Sequence, residues 1–338
     1  MFIAYPAYRS GAVSTHRRDV LTLFALGIVG AALPGPAASQ TVRKLRVGKA
    51  INSSFTFAGL ELAQQQGIWK AQGLDTEISA FRGDGQMQQA FAAGSIDFGF
   101  GSGPGMGYAV KGVPARAVAA IASKPANMAL VVGANSHVAR IADLKGKRIG
   151  VTTAGSLTDW LARKIAASNK WQPTDIMIVP MGEMRTRLAA MRGGDIAGAV
   201  TSVQEAYEIQ NKGLGMVLMT FAEVVPNFIT HVIFARDALI TGEPDLVRRF
   251  LRGWFSVAAF MRSNRAATVK SVAATMRLSE KVIDETYALE TGVLSVDGRF
   301  DPAALDVIRT SLKELGILTY VPPAAGLYSG NFVPVKVG

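Results

Sequence analysis

The sequence predicts an α/β protein of two similar lobes, with the chain crossing between them twice. From residue 42 onward, short apolar strands alternate with helices, the pattern of parallel strands joined by helical crossovers. A stretch of the first half also recurs in the second. Arg46-Val-Gly-Lys-Ala-Ile-Asn-Ser-Ser-Phe-Thr56 aligns without gaps on Arg148-Ile-Gly-Val-Thr-Thr-Ala-Gly-Ser-Leu-Thr158, and Gly94–Ser102 aligns on Gly194–Ser202. Such self-similarity marks a repeated structural unit. Finally, a strand at 231–235 precedes a helical last third that does not repeat the plan. The chain therefore leaves the first lobe near 127, builds the second over 128–231 and returns near 232, placing residues 40–127 and 232–338 in lobe one. Two such crossings make a hinge.

Ahead of this pattern, Arg17 and Arg18 precede the uncharged run 20–33, and small residues follow Pro34. A bilayer-spanning helix needs ~20 apolar residues, and this run is shorter. Residues 1–39 are therefore expected to be a cleaved export signal that sends a soluble protein to the periplasm. The Arg pair fits a twin-arginine signal, with the general secretory route as the alternative.

The elements follow in order. A strand at 45–50 leads into the polar turn Asn52-Ser-Ser54, and the next helix runs to a stop at Gly67. A strand at 74–80 leads to Arg82-Gly-Asp-Gly85, the helix 86–93 ends at Gly94, and 96–100 is a third strand. Pro104 stands where a first helical turn tolerates it. Apolar residues at helical spacing over 244–263 predict a long amphipathic helix, and two more are expected at about 279–291 and 301–315. A loop-rich tail covers 320–338.

Function is sought where parallel strands end and helices begin, because ligands of such sheets bind at that edge. Helix first turns offer unpaired N–H groups and a partial positive charge. Four turns have this form: Asn52-Ser53-Ser54, Gly101-Ser102-Gly103, Ala154-Gly155-Ser156 and Thr201-Ser202. Each alone is explained by helix capping or a tight turn. Two in each lobe, at matching places, point to one shared cleft. Arg82 follows a strand directly and is the expected grip on an anion, with Lys124 and Arg185 as further candidates. Asp84 and Glu183 lie near the same edges and could orient those cations or take a ligand amine. Phe55, Phe57 and Met184 are candidates for an apolar wall, and His231 for a hinge or pocket residue.

Several chemistries are excluded. The chain of 338 residues has no Cys and three His, so neither a thiol nucleophile nor a Cys- or His-based metal site is expected. Ser156 lacks the Gly-x-Ser-x-Gly frame of a nucleophile elbow. No Gly-Lys-Ser/Thr phosphate loop occurs. The net charge of +11 is dispersed, without the basic runs and interleaved aromatics of a nucleic-acid binder. No catalytic residue, metal or cofactor is expected.

Several stretches together carry a family resemblance. Phe57-Ala-Gly-Leu-Glu-Leu-Ala-Gln-Gln-Gln-Gly-Ile-Trp69, Ala92-Ala-Gly-Ser-Ile-Asp-Phe-Gly-Phe100, Lys111–Ala119, Ile141-Ala-Asp-Leu-Lys-Gly-Lys-Arg-Ile-Gly150 and Pro244-Asp-Leu-Val-Arg-Arg-Phe250 resemble the periplasmic substrate-binding proteins of nitrate, sulfonate, taurine and thiamine-precursor ABC transporters. The resemblance implies a hinged, two-lobed clamshell (type II) and a monomeric receptor that delivers a small, anionic organic solute to an inner-membrane permease. It places the pocket at Asn52–Phe55, Arg82–Asp84, Gly101–Gly103, Gly155–Thr158 and Thr201–Ser202. Family members often carry Trp-Glu-Pro after the strand that ends here at Thr201; this chain has Val203-Gln-Glu instead. The alternative is a thiamine-pyrimidine-precursor binding protein or a biosynthetic enzyme on the same scaffold that makes a thiamine pyrimidine; the absence of Cys argues against the enzyme.

Overall fold

The computed structural model describes residues 43–337 apart from Glu223, so the expected export signal lies outside the described residues. Ten strands form two sheets of five. The first holds β1 (Arg43–Lys49), β2 (Leu74–Ala80), β3 (Phe98–Ser102), β4 (Ala115–Ser123) and the late β10 (Ile229–Arg236), in the order β2-β1-β3-β10-β4. The second holds β5 (Met128–Gly133), β6 (Arg148–Val151), β7 (Met177–Pro180), β8 (Gly198–Ser202) and β9 (Gly215–Thr220), in the order β7-β6-β8-β5-β9.

The two sheets share one plan. In the first, β1 pairs in parallel with β2 and β3, while β10 runs antiparallel between β3 and β4. In the second, β6 pairs in parallel with β7 and β8, while β5 runs antiparallel between β8 and β9. Each antiparallel strand is the one that arrives from the other sheet. The sequence repeat thus matches a structural one, with Arg46–Thr56 and Arg148–Thr158 both running from strand into capped helix.

The reason these residues take these places is burial. Along β1 the inward residues Leu45 and Val47 are fully buried, while Lys44 and Arg46 face out. The helix Pro244–Ser263 forms as the spacing predicts and buries Phe250 and Trp254 against the first sheet. The Phe250 ring stacks on Phe98 at 3.9 Å and on Trp69 at 4.9 Å. A fully buried Phe contributes ~1.5–3 kcal/mol, so this stack is a principal tie between the late helix and the first sheet. The tail packs along the edge strand β4: Tyr328 bridges Ala117, and Val335 N donates to Asp297 O at 2.8 Å. Covering an edge in this way protects its unpaired backbone groups.

Residues 124–127 and 221–228 carry the chain between the sheets. In the first crossing Lys124 takes φ 63° and leads into the short turn Pro125–Asn127. Beside the second, Trp160 stacks on Phe228 at 4.2 Å. Among the elements that escaped the sequence reading are β4, β5, β9 and the helices Met184–Gly193 and Arg265–Met276. β5 is buried at every position and shows no alternation to read. The helix Arg265–Met276 is rich in Ala, Ser and Thr, which leaves little contrast between its faces.

Candidate functional site

A cavity lies where strand ends of both sheets meet. Its first-sheet wall comes from the turn after β1 (Ser53, Ser54, Phe55), Ser102 at the end of β3, and His231 on β10. Its second-sheet wall comes from the turn after β6 (Thr152, Ser156, Thr158), Thr201 and Ser202 at the end of β8, and Met128 at the start of β5. The repeat explains this symmetry, since corresponding turns of two like units face one space.

Three Ser side chains do two jobs. Ser54, Ser156 and Ser202 are the N-caps of Phe55–Gln65, Leu157–Ser168 and Val203–Asn211, each accepting the backbone N–H three residues on at 3.4 Å. A capping hydroxyl spends a lone pair on its helix and keeps an O–H to donate. Capping and ligand contact are therefore compatible. Around Ser156 the hydroxyls of Thr152, Ser156 and Thr158 lie within 2.9–3.0 Å of one another, and Thr158 Oγ1 accepts Thr152 N at 2.9 Å. Ser156 sits in a hydroxyl cluster with no base beside it. Asp159 accepts Gly155 N at 2.8 Å and pairs with Arg163, fixing the turn rather than activating Ser156.

The positive charge in the cavity wall comes from a residue the sequence reading passed over. Arg187, on the helix Met184–Gly193, lines the cavity at 2% exposure. Its Nη1 donates to Val200 O at 2.5 Å, and its buried Nε has no partner. Among the described residues no carboxylate forms an ion pair with it. Burial pushes its guanidinium down from its ordinary range, a shift opposed by Glu205 and Glu183 nearby. Glu205 is itself buried and accepts from Thr201 Oγ1; burial pushes its carboxyl up, against the pull of Arg187. An unpaired, buried cation with a free donor calls for an anion.

Three other titratable groups face the cavity. Asp84 is buried with both oxygens occupied, by Ser102 N at 2.7 Å and Ser102 Oγ at 2.8 Å, and burial pushes its carboxyl up. It locks the turn after β2 to the end of β3. His231 is pushed down to about 4 by burial, so the ring is neutral at pH 7; it sits edge-on to Phe57 at 4.9 Å. Glu290, on Glu280–Val293, accepts Gln204 Nε2 at 2.7 Å and Asn127 Nδ2 at 3.1 Å. Burial pushes it up to about 7, with those two hydrogen bonds acting in the other direction.

Glu290 thereby gives stability a pH dependence of known sign. The unfolded carboxyl titrates near 4.5 and the folded one near 7. The contribution is full below 4.5 and is lost as pH rises through about 7. Glu290→Gln keeps the shape without the titration. Its stability relative to the parent is expected to improve by up to about 3 kcal/mol between pH 4.5 and 8. His231, with the opposite sign, is common to both proteins and cancels. Thermal unfolding of both at pH 5 and pH 8 checks this; a constant difference in Tm would contradict it.

Of the expected site residues, the cavity brings together Ser53, Ser54, Phe55, Ser102, Ser156, Thr158, Thr201, Ser202 and His231. Gly83, Gly101, Gly103 and Gly155 are buried in the turns behind them. Gly103 is forced by a close approach: a Cβ there would lie 2.1 Å from Ile229 O. Asn52 turns away and donates to Thr275 O at 3.1 Å. Glu183 is half-buried outside the lining. Arg82, Lys124 and Arg185 are exposed and do not line the cavity. The grip expected of Arg82 is corrected on these grounds: its side chain leaves the strand end toward solvent, whereas Arg187 reaches the strand ends from within the second sheet's helix layer. Arg187, Asn127 and Glu290 are the functional candidates that the sequence reading missed.

The sequence matches the family described as NMT1/THI5 like over residues 54–267. The chain belongs to the NMT1/THI5-like family. A Brucella abortus protein named only as a binding protein is 28% identical over 233 residues, which cover 68% of this chain and 70% of that one. The fold is shared with the alkanesulfonate-binding protein SsuA of Xanthomonas axonopodis pv. citri, solved bound to MOPS, at TM-score 0.72 and 19% identity over 83% of this chain and 95% of that one. It is shared also with the ligand-binding component of an ABC-type import system from Staphylococcus aureus, at TM-score 0.73 and 15% identity over 88% of this chain and all of that one. These likenesses cover the body that holds the cavity. Among the described residues no helix is long and apolar enough to cross a membrane, and no group of His, Cys, Asp and Glu is placed to hold a metal.

Proposed function

We propose that this NMT1/THI5-like protein is the extracytoplasmic solute receptor of an ABC importer, and that it holds a small organic anion of the sulfonate or carboxylate type between its two sheets. The observation that carries the reading is Arg187, buried in the cavity wall with an unpartnered Nε and no carboxylate paired to it. An anion seated there would complete its hydrogen bonding, and the Ser and Thr hydroxyls of both walls supply further donors. The alkanesulfonate-binding protein and the importer component of the same fold support the class of ligand and the kind of partner. In this reading residues 40–127 and 232–338 form one lobe and 128–231 the other, as the membership of the two sheets supports. A ligand contacting both walls favours the closed arrangement by its differential affinity for it. A permease in the inner membrane then reads that arrangement. Residues 1–39 would deliver the protein to the periplasm as a monomer.

Calorimetry of the purified protein against propane-1-sulfonate, nitrate and benzoate tests this. Saturable one-to-one binding of at least one, with Tm rising with ligand concentration, is the expected result. Binding of a neutral heteroaromatic molecule alone would sink the anion reading, and chemical turnover of the bound molecule would make the protein an enzyme.

A further inference from the structure

His231 stands in the first-sheet wall of the cavity, and an irregularity in its strand decides what it presents there. Along β10, Ile229 is in register with Ser123 of β4 and His231 with Ala122, so Thr230 is an extra residue at that point of the ladder. Neighbours on a regular strand point to opposite faces. A bulge breaks that alternation and re-aims side chains. Here it lets two adjacent side chains meet, Thr230 Oγ1 lying 3.0 Å from His231 Nδ1. Toward β3 the register is even: His231 stands beside Ser102, and both line the cavity.

Burial decides which atom holds the proton in that contact. Thr230 is fully buried, and among the described residues its hydroxyl has no partner but His231 Nδ1. With the proton on Nδ1, the Thr230 O–H would be a buried donor without an acceptor, which costs its full desolvation. With Thr230 as donor, Nδ1 accepts and both atoms are satisfied. A neutral imidazole carries one N–H, and burial keeps this ring neutral. The proton therefore lies on Nε2. That atom has no partner among the described residues, on a side chain that lines the cavity at 7% exposure.

We infer that His231 Nε2–H donates to the anion from the first-sheet wall while Arg187 holds it from the second, and that Thr230 is the positioning residue that makes His231 a donor. This inference rests on the anion reading of Arg187. A guanidinium fork occupies two acceptor sites of an acid group, and a sulfonate or carboxylate has further lone pairs to offer. A neutral donor adds a contact without a second buried charge, whose desolvation would weigh against binding. It also gives the anion a partner in each sheet. In the proposed two-lobe receptor, a ligand held from both sides has the differential affinity that favours closure.

Ring 1H–15N correlation spectra of the intact protein without ligand, with histidine labelled, test the tautomer; the His231 signals are those lost in His231→Phe. The expected result at pH 7 is a protonated nitrogen coupled strongly to both ring C–H protons, as Nε2 is. In Thr230→Val the Nδ1–H form should become detectable, and in Thr230→Ser it should not. Calorimetry with propane-1-sulfonate tests the contact. Affinity should fall at least about tenfold in His231→Phe, the worth of a hydrogen bond to a charged group. It should fall about threefold or more in Thr230→Val and stay within about twofold of the parent in Thr230→Ser. A proton on Nδ1 in the parent protein, or parental affinity in His231→Phe, would overturn the inference and leave the anion reading standing. If the parent binds none of propane-1-sulfonate, nitrate and benzoate, the anion reading goes and this contact goes with it. Should His231→Phe not fold, the contrast between Thr230→Val and Thr230→Ser decides.

Discussion

If the proposed anion sits on Arg187, Arg187→Met is expected to abolish its recognition while leaving the unliganded fold intact. The free protein keeps a guanidinium in its interior at 2% exposure, with Nε unpaired. Holding such a charge unpaired costs free energy, and removing it also withdraws its pull on the buried Glu205 carboxyl, which burial already pushes up, so the two contributions to stability oppose each other. Met has similar length and adapts to irregular space. What it cannot supply is charge-assisted donation to an anion. Loss of such a buried contact costs about 2–5 kcal/mol, so affinity for a bound sulfonate should fall at least about 30-fold. Melting temperature without ligand and calorimetric affinity with it separate the two effects. If affinity survives, the anion is held by hydroxyls and helix termini alone. Arg82→Ala is the internal comparison: with its side chain exposed outside the cavity, it should change affinity by less than about threefold.

The turns were legible because their chemistry is local. A Ser that caps a helix after a strand announces itself by its neighbours, and the repeat supplied the second copy, so Ser54 and Ser156 could be paired from the letters alone. Arg187 was hidden because its position depends on tertiary packing. It lies mid-helix on the face toward β6 and β8, where Gly150 leaves the room that its Cγ and Cδ occupy at 3.2 and 3.3 Å from a would-be Cβ. Nothing in the run Met184-Arg-Thr-Arg-Leu distinguishes Arg187 from Arg185, which the same helix turns to solvent. Glu290 and Asn127 stand 163 residues apart in sequence and meet only because the third portion of the chain packs across the crossing. β5 was missed for a related reason. A strand buried on both faces has no alternation, and only the returning topology shows that the second sheet needs it.

In the proposed hinged receptor, Gly83→Ala should block closure of the cleft without unfolding either sheet. Gly83 follows β2 and adopts φ 136°, ψ 168°, a region essentially reserved for Gly. A Cβ placed there would lie 2.4 Å from Thr153 Cγ2 and 2.6 Å from Thr153 Oγ1. Thr153 follows β6, so the contact joins the turns of opposite sheets. It is β-branched and has few rotamers to retreat into. The added methyl therefore carries two penalties. Backbone strain of order 1–3 kcal/mol applies in any arrangement, whereas the collision applies only when the turns meet. Ligand affinity should fall at least about tenfold, since closure would have to be bought against the collision. Small-angle scattering should show the ligand-induced compaction reduced or lost. Thr153→Gly removes the struck atoms, so the double variant should recover affinity that Gly83→Ala alone loses. That recovery, read as a coupling energy in a double-mutant cycle, is a signal that backbone strain cannot produce. Additive losses in the cycle would place the whole cost in the Gly83 backbone and leave closure independent of this contact.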